Sequence, residues 1–200
     1  FGVQPRDISL TILNTGAAFQ VILISPGVAA TATLPIKLPE LQDIALQVRD
    51  KLMAIVDLKQ EGLFPYQKSI DIPEPVSQYA LQQLAEAGFR LYQRIFFSPS
   101  ADEQTKNLGR KLRELAQREK LKVQIFSQDF VLPWGLLYMA ERFDPNNLNP
   151  ELFLGIKHII EHIPLQQSLR VTDNRIPTEN GLAVSLNVNA DIDGAMKYPL

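Results

Sequence analysis

Cysteine is missing altogether from the 200 residues. That absence removes disulfides, thiolate metal ligands and a cysteine nucleophile from this stretch of chain, and it fits a reducing compartment. Histidine occurs twice and tryptophan once, so every histidine argument concerns His158 and His162 and every indole argument concerns Trp134. No run of 18 apolar residues is present to suggest a membrane-spanning helix, and Phe1 opens no basic-then-apolar leader. The expectation is a soluble, cytoplasmic protein with no membrane partner. A first residue other than Met suggests a piece of something longer. Charge of one sign is lacking too: 20 basic and 22 acidic side chains leave a net charge of -2. A mainly electrostatic nucleic-acid binder would carry a strong positive balance, so no nucleic-acid partner is expected.

Also missing are the G-x-S-x-G elbow, the Walker loop, the dinucleotide glycine fingerprint, any internal repeat and any low-complexity tract. Paired carboxylates such as Asp191 and Asp193 have no partner to separate an acid from a base role.

What is present reads as a folded chain. A hydrophobic share of 46% with 21% charged residues is ordinary globular composition. The length suits one large domain or two small ones. Ile8 to Asn14 and Ala18 to Ser25 are β-rich runs flanking Thr15-Gly16, and Val28 to Ile36 follows the turn dipeptide Pro26-Gly27. They predict a three-stranded antiparallel meander. From Leu41 to Leu58, apolar residues recur at spacings of three and four, predicting a helix whose stripe covers one face of the meander. Gly62 to Pro75, with three prolines, reads as a connector, residues 63–75 separating an N-terminal unit (1–62) from the rest (76–200).

Beyond it, Val76 to Phe97 predicts a wide-faced helix. Ser100 with Glu103 spells a capping box for a third helix reaching about Glu119. Lys122 to Gln128 alternates as a strand. It leads into Phe130-Val-Leu-Pro-Trp134-Gly-Leu-Leu-Tyr138, a Pro-Trp corner followed by a short helix signal from Trp134 to Ala140. Pro133, Trp134, Leu137 and Tyr138 are its expected structural pivots. The segment 144–150 is turn-rich, Phe153 to Ile163 fits strand or helix, Ser168 to Asn180 reads as a loop, and Leu182 to Val188 as a last strand.

Three motifs invite chemistry. His158-Ile-Ile-Glu161-His162 matches the spelling of inverted zinc peptidases. On a helix the two histidines would share a face, with Glu161 as base; a zinc hydrolase is the alternative this opens. The segment alternates equally well as a strand, which makes the histidines structural, and only 38 residues follow His162 to supply the third ligand such a site needs well downstream. Asn189, Asp191, Asp193 and Gly194 imitate the first half of a calcium loop, but Leu200 occupies the position that needs a bidentate Glu. Lys106, Arg110 and Arg113 form a basic stripe on the third helix, facing either an anionic partner or, with Glu103, Glu114 and Glu119 interleaved, only solvent. From the residues alone, no catalytic, cofactor-binding or metal site is assigned, and no cofactor is expected.

From Val76 onward the order and wording of these segments resemble the front part of a CHAT domain, the caspase-like family often found beside tetratricopeptide repeats in bacteria. The pieces are the two helices Val76–Phe97 and 101–119, then the strand into Leu132-Pro-Trp-Gly-Leu-Leu-Tyr138. Phe153-Leu-Gly155 leading to Ile163-Pro164, and the strand Leu182–Val188, complete the match over about 125 residues. The family usually carries Glu where Gly135 stands and commonly an Arg near His162. The resemblance implies a caspase-like α/β fold whose His and Cys dyad lies downstream of the first core strand, so neither dyad residue falls on this chain. The fold expected is therefore α/β, with an α+β N-terminal unit. A small antiparallel meander and helix precede helices and the first strands of a caspase-like sheet. The role implied is a non-catalytic N-terminal portion that braces the peptidase-like core and docks a protein partner or the remainder of its own polypeptide. The alternative is a stand-alone interaction module with no catalytic half.

Overall fold

Alternation of apolar and polar residues builds the sheet. In the computed structural model, which describes residues 6–59, 62–68, 71–118, 120–129 and 132–165, strands β1 (Ile8–Asn14), β2 (Phe19–Ser25) and β3 (Val28–Leu34) form the antiparallel meander. Gly16 and Gly27 take φ of +86° and +73° in its two turns, a conformation that costs glycine nothing. Strand β4 (Lys122–Ser127) then lies parallel to β1, and β5 (Ile159–Pro164) parallel to β4. The result is one mixed five-stranded sheet in the order β3-β2-β1-β4-β5, an α/β arrangement in which the meander and the later strands share a single sheet.

Pleating sends alternate side chains to opposite faces. Ile8, Leu10, Ile12, Phe19, Val21, Leu23, Val123 and Ile125 are all buried on one face. Against it pack α1 (Leu38–Val56), α3 (Glu74–Phe96) and α4 (Glu103–Ala116), which share a single hydrophobic cluster with those strand residues. Two shorter helices, α2 (Pro65–Lys68) and α5 (Leu154–Lys157), are also present. On the other face Thr11, Ile22, Ile24 and Phe126 are only partly covered, Ile24 remaining 55% exposed.

Helix starts depart from expectation for definable reasons. Both α1 and α3 begin a few residues early because Pro39 and Pro75 fall at the first turn, where the missing N–H costs nothing. The cap of α4 is Asp102 rather than Ser100: its carboxylate accepts the Thr105 N–H at 2.8 Å, which lowers its pKa. Thr105 also donates its hydroxyl to the Thr33 carbonyl, tying α4 to β3.

The helix expected over Trp134 to Ala140 does not form. Trp134–Leu136 makes one 3-10 turn, after which the chain is extended. The Met139 N–H then donates to the Leu152 carbonyl and the Leu154 N–H to the Leu137 carbonyl. Seven residues are too few to hold a helix on propensity alone, and pairing with the Phe153 segment satisfies the same backbone groups. The run from Phe153 to Ile163, open to either reading, is a single turn of helix followed by a strand.

Candidate functional site

His158, Glu161 and His162 sit around β5, so the helix that would put the two histidines of the H-x-x-E-H spacing on one face is absent. Four residues of strand separate the two histidines by roughly 13 Å of chain, and Glu161 projects to the face opposite His162. The zinc-hydrolase alternative is corrected on this ground. Each side chain has its own task. His158, buried, accepts the Leu121 N–H at Nδ1 (3.1 Å), leaving Nε2 to donate to the Ala116 carbonyl (3.0 Å). It thereby ties the end of α4 to the entries of β4 and β5, and burial lowers its pKa. Glu161 accepts from Gln124 Nε2 and from Arg6, with the Arg6 Nε at 2.9 Å, and these bonds hold its pKa down. Among the described residues no group of three or more potential metal ligands converges. The calcium-like residues Asn189, Asp191, Asp193 and Gly194 lie outside the described residues, as do the loop expected over 168–180 and the strand expected over 182–188.

Ligands of open α/β sheets gather at the carboxyl ends of parallel strands, and here that end holds Ser127, His162, Asn14 and Asp129. Sequence reasoning missed this grouping because the residues lie on three strands whose pairing is non-local. Ser127 Oγ is 2.6 Å from His162 Nε2, within reach of a nucleophile and its base. Ser127 is only 3% exposed, however, so its hydroxyl is shut away from solvent. Asp129, at φ +56°, accepts from Asn14 Nδ2, while the Asn14 Oδ1 caps the Gly16 N–H. Asp tolerates this left-handed conformation better than most residues. These contacts close the strand ends and hold their loops.

The basic stripe is partly neutralised on its own helix. Glu103 pairs with Lys106 at 3.1 Å and reaches Arg110 at 3.6 Å. Arg113 flanks a small cleft of about 180 Å3 shared with Glu151 and Lys157. Glu114 is exposed, and Glu119 lies outside the described residues.

The Pro-Trp corner is an architectural junction. Trp134, Leu137 and Tyr138 are buried, Tyr138 stacks edge-on to Phe153 at 4.9 Å, and its hydroxyl accepts the Asn149 N–H. A Cβ on Gly155 would stand 2.8 Å from Gly135 Cα, and one on Gly88 of α3 only 2.0 Å from the Leu136 carbonyl oxygen. Both glycines are thus required for the corner to seat. At Gly135 itself a Cβ meets nothing nearer than 3.6 Å.

A groove of about 620 Å3 lies between α1 and α3, floored by Ile44, Val48, Ala87 and Leu91. Polar bridges cross it, Arg94 to Glu40 at 3.2 Å and Lys51 to Gln83 at 3.2 Å, framing roughly 16 Å of helix. Such volume and lining suit an apolar ligand or side chains of a partner. No helix among the described residues is long and apolar enough to cross a membrane. The chain matches no protein-family model, no curated protein and no solved structure.

Proposed function

We propose that this chain is the non-catalytic N-terminal portion of a CHAT-type, caspase-like protein of the bacterial cytoplasm. In this reading it braces a peptidase-like core and offers a surface to a protein partner. The observation that carries the reading is the seating of Gly155 against Gly135. The Pro-Trp corner and the Phe-Leu-Gly return, on which the resemblance rests, pack directly on one another and join β4 to β5.

The test is expression of the whole coding frame with its peptidase activity measured on a peptide library. A frame continuing past Leu200 into a His-bearing strand end and a later Cys, with cleavage lost on Cys→Ala, is the expected result. A frame that closes at Leu200 overturns the bracing role. The second reading, a stand-alone interaction module, is favoured by the open groove between α1 and α3 and then takes its place.

A further inference from the structure

Helix α1 carries two apolar sides, and only one is covered. Leu41, Ile44, Val48 and Ile55 enter the core. At 100° per residue, Leu46 and Met53 fall on the side opposite these, with Leu38 and Val56 roughly 60–80° round from them toward the core. Leu38, Leu46, Met53 and Val56 are 37%, 49%, 51% and 38% exposed, four of the ten exposed large apolar side chains among the described residues. Leu46 and Met53 are seven residues apart, which is two turns along one line. Flanking that line on the side toward the α3 groove are Asp43, Asp50 and Asp57, also at seven-residue steps and all exposed. The opposite flank, Gln42, Ala45 and Arg49, holds a single cation, and Arg49 folds back onto Asp50 at 3.1 Å. Asp43 and Asp57 are contacted only by the neutral amides of Gln47 and Gln67.

We propose that this side of α1 docks a basic amphipathic helix of a partner protein, whose apolar residues cover Leu46 and Met53 and whose Lys/Arg row faces the three aspartates. A helix-on-helix seam of this kind needs apolar residues along one line with complementary charges beside it. A second copy of the chain fits poorly. In an antiparallel pair like flanks meet, bringing two rows of aspartates together, and in a parallel pair a row of three carboxylates meets one arginine. The inference does not depend on the caspase-like reading, since it uses only the surface of α1.

The test uses the purified chain and a fluorescein-labelled 20-residue helical peptide with a leucine stripe flanked by lysines. Its counterpart carries glutamate in place of each lysine. Fluorescence anisotropy is expected to show saturable binding of the lysine peptide only, weakening as salt rises. Leu46→Glu/Met53→Glu and Asp43→Lys/Asp50→Lys, all at exposed sites, should each weaken it by about tenfold or more with circular dichroism unchanged. Equal binding of both peptides, no binding of either, or binding indifferent to both double variants overturns the proposal. Self-association in sedimentation that Leu46→Glu/Met53→Glu abolishes assigns the stripe to a second copy and overturns it as well.

Discussion

The two sides of α3 differ in how closely anything approaches them. Toward the corner and α4, contact is so close that glycine is obligatory: Gly88 lies under the Leu136 carbonyl, and Gly109 of α4 lies against the Phe96 ring. Toward α1 the same helix faces an open groove bridged by long polar side chains. Close packing transmits strain and fixes orientation, and the corner side is where β4, β5 and the Phe153 segment must be held in register. On the α1 side Ile44 and Val48 share the core with Leu91 and Ile95, but the groove above them leaves apolar surface open. The contrast teaches that glycine-tight contact and open apolar surface occupy opposite flanks of one helix.

The largest expected effect lies at the corner. Trp134→Ala should cost about 3–5 kcal/mol in a urea melt, because a buried indole leaves a cavity; a near-neutral value would remove the corner from its structural role. Gly88→Ala should follow at about 3 kcal/mol, since a rigid backbone carbonyl occupies the space of the new methyl. Ala87→Leu, one residue along and pointing into the groove, should fall within about 0.5 kcal/mol of neutral. Equal costs for the two would erase the contrast.

Much of the framework was legible in the sequence, and the reason is local. The meander, α1, α3 and β4 show themselves through periods of 2 and 3.6 that need no knowledge of neighbours. What was not legible depends on distant partners. Nothing in Ile8–Asn14 announces that it pairs with Lys122–Ser127, more than a hundred residues on. Trp134–Ala140 reads as a short helix until Leu152–Leu154 arrives to take its backbone hydrogen bonds. His158-x-x-Glu161-His162 spells a metal motif on a helix and ceases to be one on a strand. The Ser127–His162 contact exists only through the β4–β5 register.

Two pH effects sharpen the comparison further, both on the tight side. Tyr92, whose hydroxyl donates to the Gly109 carbonyl at 2.8 Å, has its pKa pushed up to about 12 by burial. The unfolded tyrosine releases its proton near the ordinary value of 10.0 while the folded one retains it. Stability should therefore fall as pH rises from about 10 to 12, by roughly 2–3 kcal/mol. Tyr92→Phe should flatten that slope, and an unchanged alkaline slope would place the loss elsewhere. His158 works in the opposite sense. Its folded pKa lies below the ordinary value of 6.5, so unfolding takes up a proton and stability should decline as pH falls below about 6.5. His158→Ala should remove that acid slope and cost about 1–3 kcal/mol at pH 7, because the Leu121 N–H and Ala116 carbonyl lose their partner.

Native-state hydrogen exchange across the chain tests the division between the two sides most directly. The account predicts that the Met139 and Leu154 amides, donors in the corner, exchange only through global unfolding, as do those of β1 and β4. The amides of α1 should exchange through a smaller opening of lower free energy. Equal protection of α1 and the corner, or a corner that opens first, would contradict it.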